Sequence, residues 1–317
     1  MKTFVLHFLG LASVSCFAPT VNRQVSVTQI NAINHGNDES AISNSETSRR
    51  NFFSLTGSTV LATSSLLLQP TPSVAAEDYS KAKVLVLGGT GFVGSQICKQ
   101  LQSLGVKYIA TSRDGRDGTK ALDFTNSAIN VSTEIENLAS GCTAVISCIG
   151  AIGTPNDEVV NAGTGLAAIG AKTAGVQNFV YISVAPEVRD SAKGVSFLEK
   201  YMNGKQFSEN SIKSSFASYT IIEPTFIYGG DKFAINPPRV ADGYGQLIES
   251  VLSSGPFRAA ASISPGIIGV ALEPPVKVSA VAGAAVSGAL GVAQSNMGSS
   301  QVTLDTYDKI NDASKMI

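Results

Sequence analysis

One stretch constrains the fold of this chain more than any other. It is Lys83–Leu101, reading Lys-Val-Leu-Val-Leu-Gly-Gly-Thr-Gly-Phe-Val-Gly-Ser-Gln-Ile-Cys-Lys-Gln-Leu. Val84–Leu87 is an unbroken, β-favouring apolar run, the pattern of a strand buried on both faces of a parallel sheet. Gly88, Gly91 and Gly94 follow at three-residue steps, and Val93, Ile97 and Leu101 then recur at helical spacing. Strand, glycine turn and helix form the context that a dinucleotide-binding fingerprint requires. In that context Gly88 permits the tight turn. Gly91 lets the backbone approach a pyrophosphate, and Gly94 lets the helix pack closely on the strand. The phosphates rest on the N–H groups and positive dipole end of the helix, beside Thr90, Phe92 and Val93. A glycine-rich turn in some other α/β protein is the alternative; the flanking strand and helix favour the nucleotide.

Everything before that stretch reads as address. Met1–Cys16 holds a single Lys2 and an apolar run from Phe4 to Val14, a signal-peptide pattern too short to span a bilayer comfortably. Phe17-Ala18-Pro19 and a Ser-, Asn- and Thr-rich segment to Ser48 follow. That order resembles the bipartite plastid presequences of algae with secondary plastids; an ordinary secretory signal with a linker is the alternative. Ser48-Arg49-Arg50-Asn51-Phe52-Phe53 then resembles a twin-arginine signal. Behind it come an apolar run, Leu55–Leu68, and a small-residue cleavage pattern, Ser73–Ala76. The expectation is a signal peptide over 1–16, a plastid transit and transfer segment over 17–76, and a mature chain from Glu77. Its place would be the plastid, in the thylakoid lumen or else the stroma. An uncleaved membrane anchor is disfavoured, because Leu55–Leu68 is short and interrupted by Thr and Ser.

Composition narrows the chemistry. Lys and Arg number 23 against 24 Asp and Glu, and no basic block lies beyond the targeting region, so nucleic acid is not expected as a partner. Both histidines, His7 and His35, precede Glu77. A mature chain without histidine can form neither a Ser-His-Asp nor a Cys-His triad, nor a His-ligated metal site. Cys98, Cys142 and Cys148 lack any Cys-x-x-Cys spacing, so no metal is expected.

From Lys107 the chain alternates strand and helix. Strands are expected at Lys107–Thr111, Lys120–Phe124, Thr143–Cys148, Asn178–Ser183 and Ala217–Pro224, with helices at Val131–Leu138 and Glu158–Ala174. The second helix is expected to bury Val159, Ala162, Leu166 and Ile169. This rhythm implies an α/β fold with a doubly wound parallel sheet of the Rossmann type. A small substrate-side appendage is expected around 231–275. Arg113 stands just past the second strand, where a guanidinium suits a 2′-phosphate, so the reading favours NADP over NAD; Arg116 is a second candidate and Asp114 blurs the choice. Asp123 and Phe124 would meet the adenine, although Asp123 equally fits a turn cap. Cys148, Ile149 and Gly150 would lie against the cofactor at the sheet's switch point, with Pro224 nearby.

Gly88–Gly94, Asn161-Ala-Gly-Thr-Gly165, Ala174–Ser183 and Glu223-Pro-Thr-Phe-Ile-Tyr-Gly229 together resemble the extended and atypical short-chain dehydrogenase/reductases, over roughly Lys83 to Ala293. Tyr201–Glu209 and Pro274-Pro275-Val276 resemble the branch that holds the NAD(P)H-binding accessory subunit of respiratory complex I and a coenzyme Q biosynthesis accessory protein. The resemblance implies a Tyr-x-x-x-Lys pair, matched here by Tyr201 and Lys205. Lys205 would hold the ribose and lower the phenol pKa of Tyr201, which would exchange a proton with the substrate. The family also places a Ser or Thr past the fifth strand. Ser183 is a candidate, but Ala185 stands at the expected position, which puts turnover by the usual route in doubt.

Two functions therefore stay open at this level. One is an NADP(H)-dependent oxidoreductase acting on an apolar quinone, isoprenoid or pigment-like substrate. The other is a non-catalytic, nucleotide-binding accessory protein of a complex. The apolar tail Ile263–Leu290 is broken by Pro265, Gly266, Gly269, Pro274 and Pro275, so no mature membrane span is expected; peripheral thylakoid association is compatible with it.

Overall fold

The computed structural model describes residues 79–230, 234–235, 238–239, 241–254 and 272–317. The presequence expectations over 1–76, and most of the expected appendage over 231–275, lie outside the described residues.

The chain enters the fold through β1 (Lys83–Leu87), whose side chains alternate between two buried surfaces. Val84 and Val86 join one apolar cluster and Leu85 and Leu87 the other, all with no exposed surface. The order that follows is α1 (Phe92–Ser103), β2 (Lys107–Ser112), β3 (Lys120–Ala121), α2 (Val131–Leu138), β4 (Ala144–Ser147) and α3 (Asp157–Thr173). Then come β5 (Asn178–Ile182), α4 (Pro186–Ser191), α5 (Ser196–Ser215), β6 (Ser218–Ile222) and β7 (Ile227–Tyr228). The remainder is β8 (Ala234–Ile235), β9 (Pro238–Arg239), α6 (Asp242–Leu252), β10 (Val276–Lys277), α7 (Val278–Ala289), α8 (Val292–Met297), β11 (Gln301–Leu304) and α9 (Tyr307–Ser314).

Seven strands form one sheet in the order β11-β6-β5-β4-β1-β2-β3, every pair parallel. The chain winds one way through β1, β2 and β3, returns to β1, and winds the other way through β4, β5 and β6. The switch point therefore lies between the carboxyl ends of β1 and β4, where open α/β sheets bind ligands. The doubly wound parallel sheet expected from the sequence is the observed fold.

Each face of the sheet carries helices. On one side α1, α7 and α9 cover Val84, Val86, Val180 and Ile222. The Ala/Gly/Val composition of α7 keeps it thin and buries it almost entirely. On the other side α2, α3 and α5 cover Leu85, Leu87, Phe179 and Tyr181. Helix α2 starts where Asn130 Oδ1 accepts the Thr133 N–H, leaving one fewer unpaired donor in its first turn. Helices α3 and α5 are bound through buried polar contacts: Ser208 Oγ accepts from Gly165 N at 3.0 Å and donates to Asn161 O at 2.6 Å.

Three features differ from the sequence reading. The third strand ends at Ala121, because the backbone turns at Asp123, whose Oδ1 accepts from Thr125 N and Oγ1. On α3 the apolar stripe is displaced: Val159 is exposed, while Asn161, Thr164, Ala168 and Ala171 are buried. Lying between the sheet and α5, this helix needs small side chains more than large ones. A seventh strand, β11, extends the sheet beyond β6; its alternating Gln-Val-Thr-Leu is the pattern of an edge strand.

Candidate functional site

The site begins with the turn after β1. Gly88 has φ +86°, a conformation that side chains rarely adopt, and it reverses the chain into α1. At Gly94 a Cβ would lie 2.1 Å from Gly88 O and 2.9 Å from Cys148 Sγ, so only glycine lets α1 sit this close to β1. At Gly91 an added Cβ would meet only Gly88 O, at 3.1 Å; the position faces open space instead of a packed neighbour. Gly91 is the N-cap of α1, with no side-chain cap and no acidic residue in the first turn. The first-turn N–H groups of a helix have no intrahelical partner, and together with the helix dipole they favour an anion.

A cavity of about 710 Å³ opens over this turn and runs along the carboxyl ends of β2, β1, β4 and β5. Gly88, Thr90, Gly91, Phe92 and Val93 line its floor. Arg113, Asp123 and Phe124 line one end; Cys148, Ile149 and Gly150 line the middle; Ser183, Tyr201, Lys205 and Pro224 line the other end. Gly94 lies beneath the floor as the helix–strand contact. The candidate residues named from sequence, from seven separate segments of the chain, are thus gathered around one space.

At the first end Arg113 is exposed and makes no hydrogen bond or ion pair among the described residues. Arg116 is engaged: Nη2 donates to Thr90 Oγ1 at 3.3 Å and Nη1 stands 3.6 Å from Asp114 Oδ2. Arg113 is therefore the guanidinium left available to an incoming phosphate. Asp123 has one carboxylate oxygen committed to its own turn.

In the middle, Cys148 Sγ donates to Leu87 O at 2.9 Å, and burial pushes the thiol up to about 12. It packs as a protonated thiol. The loop after β4 is pinned by Asp157, which accepts from Gly153 N, Thr154 N and Thr154 Oγ1 at 2.5–2.8 Å. Asn161 Nδ2 donates to Ala151 O and Asp157 O, which fixes the amide orientation. Its Oδ1 is buried without a hydrogen-bond partner. That oxygen and Lys205 Nζ stand over Gly150, each 3.5 Å from where a Cβ would be.

At the second end Lys205 is 3% exposed. Its Nζ donates to Ile182 O at 2.9 Å and Ile149 O at 3.4 Å, and stands 4.8 Å from the Tyr181 ring centroid and 5.7 Å from that of Tyr201. Burial lowers its pKa to about 8, against the opposing pull of Glu209. Tyr201 is half-buried, and its hydroxyl makes no hydrogen bond among the described residues. Burial pushes its phenol well above the usual range; Arg189 opposes the shift and Asp157 adds to it. The net shift is opposite in direction to the lowering expected from Lys205, because burial is the largest influence on the phenol. Of the residues past β5, Ser183 and Val184 line the cavity, whereas Ala185 is fully buried at the start of α4.

Sequence reasoning missed what lies behind Ser183. Its hydroxyl donates to Glu209 Oε1 at 2.5 Å, and Arg189 Nη2 donates to the same oxygen at 2.5 Å. Arg189 also stands 3.7 Å from Glu223 Oε1, and Lys213 stands 3.6 Å from Glu209 Oε2. Glu223 is 5% exposed; burial first, and the Glu209 carboxylate second, push its pKa up to about 7. One signal was available: Glu209 falls four residues after Lys205, on the same helix face. Arg189 carried none.

Residues 88–244 match the family described as NAD(P)H-binding. An uncharacterized chloroplastic protein of Arabidopsis thaliana is 33% identical over 168 residues, covering 49% of this chain and 54% of that relative. The chain thus spans about half the length of the curated relative it matches. Among solved structures it is similar to a dTDP-4-dehydrorhamnose reductase ortholog of Clostridium acetobutylicum, at 18% identity and a TM-score of 0.44, over 70% of this chain and 73% of that one. It is likewise similar to the UDP-glucose 4-epimerase of Brucella ovis in complex with NAD, at 16% identity and a TM-score of 0.44, over 72% and 80%.

Proposed function

We propose, from the match of residues 88–244 to the NAD(P)H-binding family, that the protein is an NADP(H)-dependent oxidoreductase of the short-chain dehydrogenase/reductase type, acting on an apolar substrate in the plastid. One observation carries this reading. The glycine turn, the unengaged Arg113, Lys205 and Tyr201 all border one cavity at the switch point of the sheet, and the orphaned Asn161 Oδ1 is buried beside Gly150 in its wall. The residues fit the nucleotide: Gly91 leaves a cradle that a larger side chain would fill, and the buried Asn161 acceptor lacks a donor.

In this reading the α1 N-terminus holds the pyrophosphate and Arg113 the 2′-phosphate, which selects NADP. Lys205 and Asn161 Oδ1 meet sugar hydroxyls beside Gly150. When bound, the nicotinamide supplies or accepts the hydride. Tyr201 keeps its proton through burial and gives it to a carbonyl oxygen as that oxygen becomes an alcohol. Ile182, Val184, Phe226 and Ile227 leave the substrate side mostly apolar, which suits a quinone, an isoprenoid or a pigment-like ligand.

Calorimetry with NADPH, NADP and NADH tests the binding, and oxidation of NADPH followed with quinones and isoprenoid ketones tests the turnover. Gly91→Val should abolish binding. An activity that survives Tyr201→Phe unchanged would remove the role given to Tyr201.

A second reading is a nucleotide-binding accessory protein without turnover. It is favoured by the commitment of the Ser183 proton to Glu209 and by the absence of a hydroxyl at Val184 and Ala185. Co-purification with a thylakoid or quinone-biosynthesis assembly would support it. Localisation is proposed as the thylakoid lumen, reached through staged removal of the presequence near Cys16 and Ala76, with nucleotide loaded before transport. The Arabidopsis relative's chloroplastic name supports the plastid half of this. Fractionation with N-terminal sequencing tests it; a stromal protein beginning near Phe17 would sink the lumen half.

A further inference from the structure

Ser183 borders the cavity just past β5, and its one proton is already committed. Glu209 Oε1 accepts both the Ser183 hydroxyl and the Arg189 guanidinium, each at 2.5 Å. An oxygen that takes an N–H from a guanidinium is not itself protonated, so in the Ser183–Glu209 contact the serine is the donor. The arrangement is held: Glu209 is 1% exposed, and Lys213 stands 3.6 Å from its second oxygen. A hydroxyl has one hydrogen to give and two lone pairs to offer. Toward a ligand, Ser183 is left with lone pairs alone.

Two donors line the same end of the cavity. Lys205 Nζ spends two of its three hydrogens on Ile182 O and Ile149 O, and the third is the one given to the sugar in the reading above. The Tyr201 hydroxyl makes no hydrogen bond among the described residues, so its hydrogen is left for the substrate.

We propose that the reacting end of the cavity is built for a hydroxyl group, with Ser183 accepting its hydrogen, Tyr201 donating to its oxygen, and Glu209 acting as the positioning residue that sets this polarity. The inference rests on the oxidoreductase reading and deepens it by naming the favoured member of the substrate pair. An alcohol makes both hydrogen bonds. The corresponding ketone has no hydrogen to give, so it makes one and turns a carbonyl lone pair toward that of Ser183. The hydroxyl-bearing, reduced form of an apolar substrate therefore binds more tightly than its carbonyl form.

The test uses two probes that cannot react in the presence of NADP: 1-methylcyclohexanol, which has no carbinol hydrogen to lose, and 2-methylcyclohexanone, which would need a reduced nucleotide. Both are titrated by saturation-transfer NMR against the full chain, with and without NADP. The wild type should bind the alcohol about fivefold more tightly than the ketone, the effect of one added hydrogen bond. Glu209→Leu removes the acceptor and releases the serine's own hydrogen, while Arg189 keeps Glu223 as a partner, so the preference should vanish or reverse. Should that variant fail to fold, Ser183→Ala, checked by circular dichroism, should lose the preference as well. Equal binding of the two probes by the wild type, or no binding of either, overturns the proposal. So does an alcohol preference that survives in folded Ser183→Ala. A protein that binds no nucleotide yet still prefers the alcohol would sink the oxidoreductase reading and leave the hydroxyl site standing.

Discussion

The turn after β1 and the charge network behind β5 border the same cavity and are built in opposite ways. The turn is made of missing side chains: Gly88 frees the backbone, Gly94 removes a collision, and backbone N–H groups do the binding. The network is made of long side chains drawn from four segments, with Ser183, Arg189, Glu209 and Glu223 meeting out of water. The turn is held by close packing, Gly94 lying directly against the Gly88 carbonyl and Cys148. The network stays rigid because each charge is held by another. The first arrangement tolerates no additions and the second tolerates no deletions.

Deleting a charge should therefore have the largest effect. Arg189→Met leaves Glu209 and Glu223 facing each other with Lys213 as their nearest remaining cation, at 3.6 Å from Glu209. Removing one partner of a buried ion pair costs about 4 kcal/mol, to be read from the urea midpoint. Adding Glu209→Leu to Arg189→Met should restore part of the loss, because the more deeply buried carboxylate is then gone and the one that remains, Glu223, holds a proton up to about 7. If the double variant is no better than the single, the charges are not what holds this region.

The matching addition is Gly94→Ala. Its methyl would enter within 2.1 Å of a backbone oxygen, which cannot rotate away, so α1 must lift off β1. We expect a loss of about 3 kcal/mol together with loss of nucleotide binding. Gly91→Ala, whose methyl would meet Gly88 O at 3.1 Å, should cost the fold far less while still weakening the nucleotide. Equal destabilisation by the two would erase the distinction between packing glycine and binding glycine.

The contrast also explains what could be read in advance. Strand, glycine turn and helix span nineteen consecutive residues, Lys83–Leu101, so composition and spacing expose them. The sheet order follows from alternation and was legible for the same reason. Ser183, Arg189, Glu209 and Glu223 are not neighbours in the chain, and the four-residue step from Lys205 to Glu209 is the one local pattern that points this glutamate inward. The stripe on α3 differs for the same reason: Val159 looks like core until α5 is seen to pack on Asn161, Ala162 and Gly165 instead. The upward shift of Tyr201 is likewise a property of burial, which the Tyr-x-x-x-Lys spacing does not contain.

The network should betray itself in pH dependence, where the glycine turn has nothing to titrate. Glu223 sits near 7, against an ordinary 4.5, with Glu209, Arg189, Lys213 and Asp305 acting on it. The folded state then keeps a proton that the unfolded chain has released. Stability from this group is fully present below about 4.5 and is lost as pH rises through 7. Thermal denaturation of wild type against Glu223→Gln should show a gap that opens by about 3 kcal/mol between the acid and alkaline ends of that window. Parallel curves would mean that Glu223 is charged throughout.

The smallest effect is expected at the far end of the cavity, where an exposed side chain carries specificity without supporting the fold. Arg113 has no partner among the described residues, so Arg113→Ala strands nothing and should leave stability within about 0.5 kcal/mol. A guanidinium that meets a phosphate contributes through charge-assisted hydrogen bonds, which a ribose hydroxyl cannot replace. NADPH affinity should therefore fall about tenfold, or about 1.4 kcal/mol, while NADH affinity stays nearly constant. Arg116 provides the control. It already donates to Thr90 and lies beside Asp114, so Arg116→Ala should cost less for NADPH and should loosen the loop by freeing Asp114. Calorimetry with both nucleotides on both variants separates the two arginines. Equal losses of NADPH and NADH in Arg113→Ala would remove the 2′-phosphate from this end of the cavity and with it the case for NADP.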